Sequence, residues 1–233
     1  MIRLIRNKLG LKIIEFRYPD KLITVPNCDM IKIYSFKDLT SKGWIKNQVC
    51  SMMIDLTKSE EELLANIKKN YRKHMKTEEN SGVVIKKASN DLDYKKFYKE
   101  RYLELCKREN MRPYPYKYLK QGDLWYAEKD GKILCGSIIF HDEEYATQSF
   151  AASEHVEYNG HRTLIWKAMK YYKEQGLKWF NFGGGESDYK KRFGSEKFDV
   201  WTYVKYVSFK AILMNKIRLI INKIRYKKNE EKN

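Results

Sequence analysis

The sequence predicts an α+β fold, a central mixed α/β sheet flanked by helices, and three features carry that prediction. Short apolar runs broken by Pro and Gly fill the first fifty residues. An antiparallel meander is written between Leu124 and Ala152. After it come a helix, a glycine, a buried strand and a glycine-rich loop, in that order. A strand–helix–strand crossover makes a parallel pair, so a meander followed by one gives a mixed sheet.

At the amino end, Met1-Ile-Arg-Leu-Ile-Arg-Asn-Lys-Leu-Gly10 mixes cations with aliphatic residues. It reads as a short strand or frayed helix, or as a basic amphipathic contact with an anionic surface. A secretory leader is not expected, because the apolar run is interrupted and no small-residue cleavage site follows. Lys12 to Phe16, Leu22 to Val25 and Met30 to Tyr34 read as strands, punctuated by Pro19-Asp20 and Pro26-Asn27. Val49 to Ile54 is a further strand.

Thr57-x-x-Glu60 matches a capping box and predicts a helix from Lys58. Leu63, Leu64, Ile67, Tyr71 and Met75 then share one face, while Lys68, Lys69, Arg72, Lys73 and Lys76 decorate the others. Charge runs of this kind ordinarily form a solvated helix face. Val83 to Lys87 reads as a strand. From Asp91 a helix buries Tyr94, Phe97, Tyr98 and Leu105, and Asn110 and Pro113 end it. A short helix starts in Pro113-Tyr-Pro-Tyr116 and stops by Gly122.

Leu124 to Glu128 and Ile133 to Phe140 are joined by Asp130-Gly131, a strong hairpin signal. Tyr145 to Ala152 adds the third strand, after an acidic turn, Asp142-Glu-Glu144, that is expected to be exposed. A helix begins at Thr163 with Leu164, Ile165, Ala168, Met169 and Tyr172 inward, and Gly176 stops it. Asn159-Gly160-His161-Arg162 stands just before it. Backbone N–H groups at a helix start suit an anionic group such as a pyrophosphate; a plain capping loop is the alternative.

Trp179 to Phe182 is apolar on both faces and ends at Gly183, Gly184 and Gly185, where backbone can approach a ligand. The polar, basic segment Glu186 to Arg192 follows. A cationic loop therefore sits at the carboxyl end of a central strand, a common ligand position. Val200 to Val207 is the last strand. From Phe209 to Lys228 a helix carries Phe209, Ile212, Leu213, Ile217, Ile220, Ile221 and Ile224 on one stripe. It is too interrupted by charge to span a bilayer. It packs on the domain or lies on an anionic membrane.

The series helix-Gly-strand-Gly-Gly, then Tyr189-Lys190-x-x-Phe193-Gly194, resembles the Phe-Lys-x-x-Phe-Gly segment of the FemABX peptidyltransferases. It resembles equally the FemAB-like branch of the GNAT acyltransferase superfamily. Upstream, Asp55-Leu56, a helix bearing Arg72 and Lys76, and Gly82-Val83-Val84 are similar to the opening of that family's second acyltransferase subdomain. The resemblance covers residues 45–205. Tyr189 stands where the family usually has Phe, and Asn181 where it often has Asp; the family's long helical arm has no counterpart.

The resemblance implies a GNAT-like acyl-N-acyltransferase fold. It implies Lys190 as the cation that stabilises charge on the carbonyl during acyl transfer. Substrate or donor binding is expected of Arg72, Gly160, Arg162, Gly183, Gly184 and Tyr189. Tyr114 and Tyr116 would line the acceptor cleft, with half-buried packing as the alternative. Acetyltransferases that use coenzyme A usually carry Arg/Gln-x-x-Gly-x-Gly/Ala before the helix, whereas here Gly160 is kept and Arg162 replaces the second glycine. Three segments are expected: 1–54, a reduced strand-rich segment packed on the core; 55–208, the acyltransferase domain; 209–233, a basic amphipathic helix and tail.

The net charge of +17 gathers at the ends: residues 1–12 hold four cations and residues 210–228 seven, with no acid in either stretch. Hydrophobic content of 42% with 14% aromatic residues means a packed core rather than disorder. Cys28, Cys50, Cys106 and Cys135 form no CxxC pair, and His74, His141, His155 and His161 show no ligand spacing, so reduced thiols and no metal site are expected. The expected activity is transfer of an acyl or aminoacyl group to an amine on a peptidoglycan or lipid-linked saccharide precursor. The donor is aminoacyl-tRNA or acyl-CoA, with no tightly bound cofactor. The expected place is the cytoplasm, peripheral at the inner, anionic face of the cell membrane. The alternatives are a coenzyme A-dependent N-acetyltransferase of a nucleotide sugar or polysaccharide, a membrane-associated scaffold without catalysis, or a nucleic-acid-binding module.

Overall fold

A computed structural model describes residues 1–39, 41–154, 156 and 158–230, with side chains as far as Ile221. His155 and, in the last helix, Ile224 and four of its seven cations lie outside the described side chains. The chain forms two compact units, Arg3–Gln48 with the segment from Val200 onward, and Val49–Asp199.

Strands β1 (Ile2–Lys8) and β2 (Leu11–Arg17) flank Leu9-Gly10, both in the left-handed region. The amino end is thus a strand. β2 runs parallel to β3 (Met30–Ser35), with Ile14 opposite Ile31 and Phe16 opposite Ile33. The strand expected at Leu22 to Val25 does not form. Held between Pro19 and Pro26, Leu22, Ile23 and Val25 instead cover Ile14, Phe16, Ile31 and Ile33 with their side chains. An apolar run without a ladder partner acts here as a lid.

After β4 (Ile45–Asp55) comes α1 (Glu60–Asn66), two residues later than the sequence suggested. Ser59 is the cap: its hydroxyl accepts from the Glu62 N–H at 3.1 Å, and the Glu62 carboxylate accepts from the Ser59 N–H at 2.7 Å. Thr57 is engaged instead by the Asp55 carboxylate, through its N–H at 2.9 Å and its hydroxyl at 2.6 Å. The single helix expected from Lys58 is two, because Ile67 and Lys68 are extended before α2 (Lys69–Asn80).

Strand β5 (Val84–Lys87) leads to α3 (Asp91–Phe97), a π turn (Tyr98–Tyr102), α4 (Leu103–Arg108) and α5 (Tyr116–Leu119). The meander follows as β6 (Asp123–Lys129), β7 (Lys132–His141) and β8 (Tyr145–Ser153). Helix α6 (His161–Glu174) begins two residues before Thr163, and β9 (Trp179–Gly184), α7 (Asp188–Lys191), β10 (Glu196–Tyr206) and α8 (Phe209–Glu230) complete the chain.

In the second unit the strand order is β4-β9-β8-β7-β6-β5, and only the β8/β9 pair is parallel. Leu63, Tyr71 and Met75 of the first two helices and Ile67 from the break between them join Leu164, Ile165, Ala168 and Met169 of α6 in one core with Phe180 and Phe182. Elsewhere on the sheet the Phe97 ring lies against Gly136, where a Cβ would come within 2.6 Å of it. In the first unit β10 pairs antiparallel with β3, Tyr203 opposite Ile33. Among the described residues the four cysteines are free thiols.

Candidate acyl-transfer site

The parallel ladder of β8 and β9 matches Tyr145 with Trp179, Ala146 with Phe180 and Thr147 with Asn181. Beyond that point β8 continues along β7, while the end of β9 pairs with β4, Gly184 opposite Ser51. Against β7, Ile139 faces Gln148 and Ile138 faces Phe150, so Ser149 is the extra residue of a bulge. A bulge re-aims side chains and ends pairing. The two strands therefore part at the middle of the sheet.

Buried polar groups collect there. Asn181 Oδ1 accepts from Ser51 Oγ and from the Gly183 N–H, both at 2.6 Å. Gln148 Nε2 donates to Ser137 Oγ at 2.9 Å, and that hydroxyl donates to the Phe150 carbonyl at 3.1 Å. Gly183, with φ +76°, lies so close to β8 that a Cβ would stand 3.1 Å from the Gln148 carbonyl oxygen. Gly184 is not left-handed, and its Cβ would find ordinary room 3.8 Å from the Cys50 carbonyl.

Lys190 closes this loop. Its Nζ donates to the carbonyls of Gly183 at 3.1 Å, Gly184 at 2.7 Å and Gly185 at 2.8 Å. Burial holds its pKa below the usual lysine value. Lys191 is the outward one of the pair, bonded to Glu186 at 2.5 Å. Tyr189 turns inward, its ring 5.4 Å from Phe193, 6.0 Å from Phe182, 5.5 Å from His161 and 6.5 Å from Tyr71. Burial pushes its phenol well above the ordinary value, and its hydroxyl, near Gln148, makes no well-formed hydrogen bond among the described residues.

The first turn of α6 lies against the same cluster. Gly160, left-handed at φ +80°, is packed so that a Cβ would come within 2.6 Å of Val83 and 2.8 Å of Ala127. Glu78 of α2 reaches the helix start fully buried. Its carboxylate accepts from the Thr163 N–H at 3.0 Å, the Thr163 hydroxyl at 2.8 Å and Arg162 Nη1 at 3.1 Å. The His161 N–H goes to Asn159 Oδ1 at 3.0 Å. Where an anionic ligand was expected, the chain supplies its own carboxylate. Arg162 also lies 5.1 Å from the centre of the Tyr71 ring, as Arg192 does at 5.6 Å.

Arg72 points elsewhere. Its Nη1 donates to the carbonyls of Leu64, Ala65 and Ile67 at 3.1, 2.9 and 2.9 Å, satisfying the end of α1. Tyr114 and Tyr116 join an aromatic wall along the bulged strand: Tyr114 stacks on Tyr118 at 5.3 Å and meets Phe150 at 5.0 Å. The Tyr116 hydroxyl donates to Asp91 Oδ1 at 2.7 Å. The structure thus gathers Gly183, Gly184, Tyr189, Lys190 and Arg162 around one strand end, with Tyr114 against Phe150 just beyond the bulge.

Sequence reasoning missed His161, Tyr71 and Glu78. His161 lies in the helix-start motif, but nothing in a sequence shows that its ring is enclosed, pushing its pKa down to about 4 with help from the Arg162 charge. Glu78 sat in a run of charged residues where exposure is the usual outcome. Among the described residues no three His, Cys, Asp or Glu side chains gather as metal ligands.

The family model of the acetyltransferase (GNAT) domain matches residues 65–191, more than half of the chain and everything from the end of α1 through α7. Among solved structures, the C-terminal domain of a putative lysylphosphatidylglycerol synthetase from Agrobacterium fabrum is similar with a TM-score of 0.61 at 14% identity, over 94% of this chain and 85% of that one. FemX is similar at 0.59 and 13% identity, over 80% of this chain and 74% of that one. L-PGS from Bacillus licheniformis follows at 0.54 and 10%, over 94% and 85%. No curated protein matches by sequence. At these identities the structural likeness is one of fold. The chain belongs to the acetyltransferase (GNAT) domain family, with the fold of its FemAB-like branch, and is an acyltransferase.

Proposed function

We propose that this acyltransferase moves an aminoacyl group from aminoacyl-tRNA to an amine on a cell-envelope precursor, a peptidoglycan or lipid-linked saccharide intermediate, at the cytoplasmic face of the membrane. The observation that favours this donor is Glu78. Acyl-CoA donors would bring a pyrophosphate to the start of α6, and there a buried carboxylate already accepts from the Thr163 N–H and the Arg162 guanidinium. The N–H and guanidinium groups that would receive a pyrophosphate there are thus already taken by Glu78. A donor whose phosphates lie elsewhere meets no such conflict.

In the reaction the acceptor nitrogen attacks the ester carbonyl carbon and an oxyanion forms on the carbonyl oxygen. Collapse expels the ribose oxygen, which takes up a proton as the nitrogen loses one. Lys190 supplies the fixed positive charge near the oxyanion, at the strand end where Gly184 leaves room for substrate against backbone. The acceptor lies along Tyr114 and Phe150. A lipid-borne acceptor is supported by the likeness to the C-terminal domain of a putative lysylphosphatidylglycerol synthetase. No helix among the described residues is long and apolar enough to cross a membrane. Contact with an anionic membrane surface is assigned in this reading to α8 for its exposed Ile217 and Ile220 beside Lys216 and Arg218.

The test supplies the purified protein with aminoacyl-tRNA carrying a labelled amino acid, or with labelled acetyl-CoA, and membrane-extracted envelope precursors. Label passing from the tRNA to a precursor amine, identified by mass spectrometry, is expected. Transfer from acetyl-CoA alone would overturn the donor assignment, and label on neither precursor class would overturn the acceptor.

A further inference from the structure

A trough lies outside the acyl-transfer site, between α2 and α6. Its larger part is a cavity of about 910 Å³ lined by Lys69, Arg72, Lys73, Lys76 and Trp166, with one acid, Glu79, at its edge. Past Trp166 lies a second hollow of about 230 Å³ of mixed charge, where Lys167 and Lys170 stand with Glu79 and Glu174 and Lys170 is paired to Glu60 at 2.6 Å. The cationic part of the trough is therefore the α2 face. The cations of α2 stand at i, i+3, i+4 and i+7, so one helix face carries all four. Arg72 is occupied by the carbonyls of α1, whereas Lys69, Lys73 and Lys76 have no ion-pair partner among the described residues. Between Lys69 and Lys76 the helix rises about 10 Å, which spans several phosphates of a nucleic-acid strand.

The floor is different. Exposed Leu64, above the nearly buried Trp166 and Met75, gives it an apolar base against which a sugar can rest. The donors are flexible ammonium groups in water rather than buried, fork-shaped ones, and the trough extends beyond the size of a single nucleotide. That combination suits a polyanion held by its backbone.

We propose that this trough binds the phosphate backbone of RNA, as the docking surface for the tRNA part of the donor. The proposal rests on the aminoacyl-tRNA reading above for its purpose, but its test needs no transfer activity.

The full-length protein is titrated with fluorescently labelled, uncharged bulk tRNA by anisotropy between low and moderate salt, and the same is done for the Lys69→Gln/Lys73→Gln/Lys76→Gln variant. The expected loss is on the order of tenfold in affinity, and the slope of log K against log salt falls by about two to three, one per phosphate contact removed. Circular dichroism and melting temperature stay unchanged, since these lysines support no other group. Equal affinity and equal slope for both proteins would overturn the proposal, placing any RNA contact on α8 or β1. A variant that loses binding to anionic vesicles and keeps RNA binding would overturn it as well, assigning the trough to lipid. If tRNA binding depends on the lysines while no donor supports transfer, the acyl-transfer reading fails and the trough stands.

Discussion

The Lys190 ammonium donates to the Gly184 carbonyl at 2.7 Å while also holding Gly183 and Gly185 at 3.1 and 2.8 Å. An ammonium has three N–H donors, and the glycine loop takes all of them. The cation is therefore fixed in place before any substrate arrives, and with its three N–H groups engaged it acts on a developing oxyanion as a nearby positive charge rather than as a hydrogen-bond donor. It also ties the loop to α7. Lys190→Met removes that charge and releases the glycine loop, and is expected to lower turnover by about 10²-fold or more. Lys190→Arg keeps the charge on a planar fork in place of the single ammonium and is expected to recover part of the rate. If Lys190→Met folds normally and turns over near the wild-type rate, the catalytic role is wrong.

The two glycines before it separate cleanly. Gly183 is left-handed with Gln148 pressed against it, whereas Gly184 is not left-handed and has space. Gly183→Ala is expected to cost about 1 kcal/mol or more in stability. Gly184→Ala is expected to leave the melting temperature unchanged and to raise the substrate KM, because a methyl group there would stand where substrate meets backbone. Unchanged KM for Gly184→Ala would leave the loop a purely structural turn.

His161 gives a pH dependence. Its pKa is about 4 in the folded chain, against an ordinary 6.5. Arg162 and the phenol of Tyr189 face it, and neither accepts a proton in this range. Below pH 6.5 the unfolded chain binds the extra proton and the folded one does not, so stability falls as pH drops from 6.5 to 4 and is indifferent to this group below that. The shift corresponds to about 3 kcal/mol at most. His161→Phe keeps a ring against Tyr189 and should flatten that part of the stability–pH curve, read by denaturant melts at pH 7 and pH 4.5. The same slope in the variant would show that the ring is hydrated.

Why some of this was legible and some was not follows from which interactions are local. The meander, the crossover into β9 and the glycine loop are encoded by periodicity and by residues such as Asp130-Gly131, so they could be read directly. The position of α1 could not, because Thr57 and Ser59 both offer a capping box or a near match, and the choice falls to Asp55 capturing Thr57 at 2.6 Å. The break after Ile67 has no Pro or Gly to announce it; the tertiary use of Arg72 on the carbonyls of α1 stabilises it. Glu78 shows the limit most clearly. A glutamate in Thr77-Glu-Glu-Asn80 reads as solvent-exposed, and only the meeting of α2 with α6, more than eighty residues later, makes it the buried counter-charge of Arg162.

The last helix sets the fourth prediction. Ser208 caps it, donating to Asp29 at 2.6 Å and accepting from the Ala211 N–H at 3.2 Å, and Ala211 and Met214 pack on Leu11 and Ile13. The other apolar residues are open: Phe209 is 79% exposed, Ile217 47% and Ile220 57%, with Lys216 and Arg218 between them. Among the side chains described as far as Ile221, the domain covers Ala211 and Met214 on one side of the first turns, and an apolar face flanked by cations is left for another partner. Its basic flanks favour an anionic bilayer, at about 1 kcal/mol per Lys or Arg near the surface. Deleting residues 215–233 keeps the packed turn, so the melting temperature should not move, while co-sedimentation with anionic vesicles at low salt should be lost. For the intact protein the same binding should weaken in 1 M salt, where the Debye length is about 3 Å. Equal sedimentation of both proteins at low salt would remove the membrane role, and a dimer that the deletion converts to a monomer would show that a second copy covers this face instead.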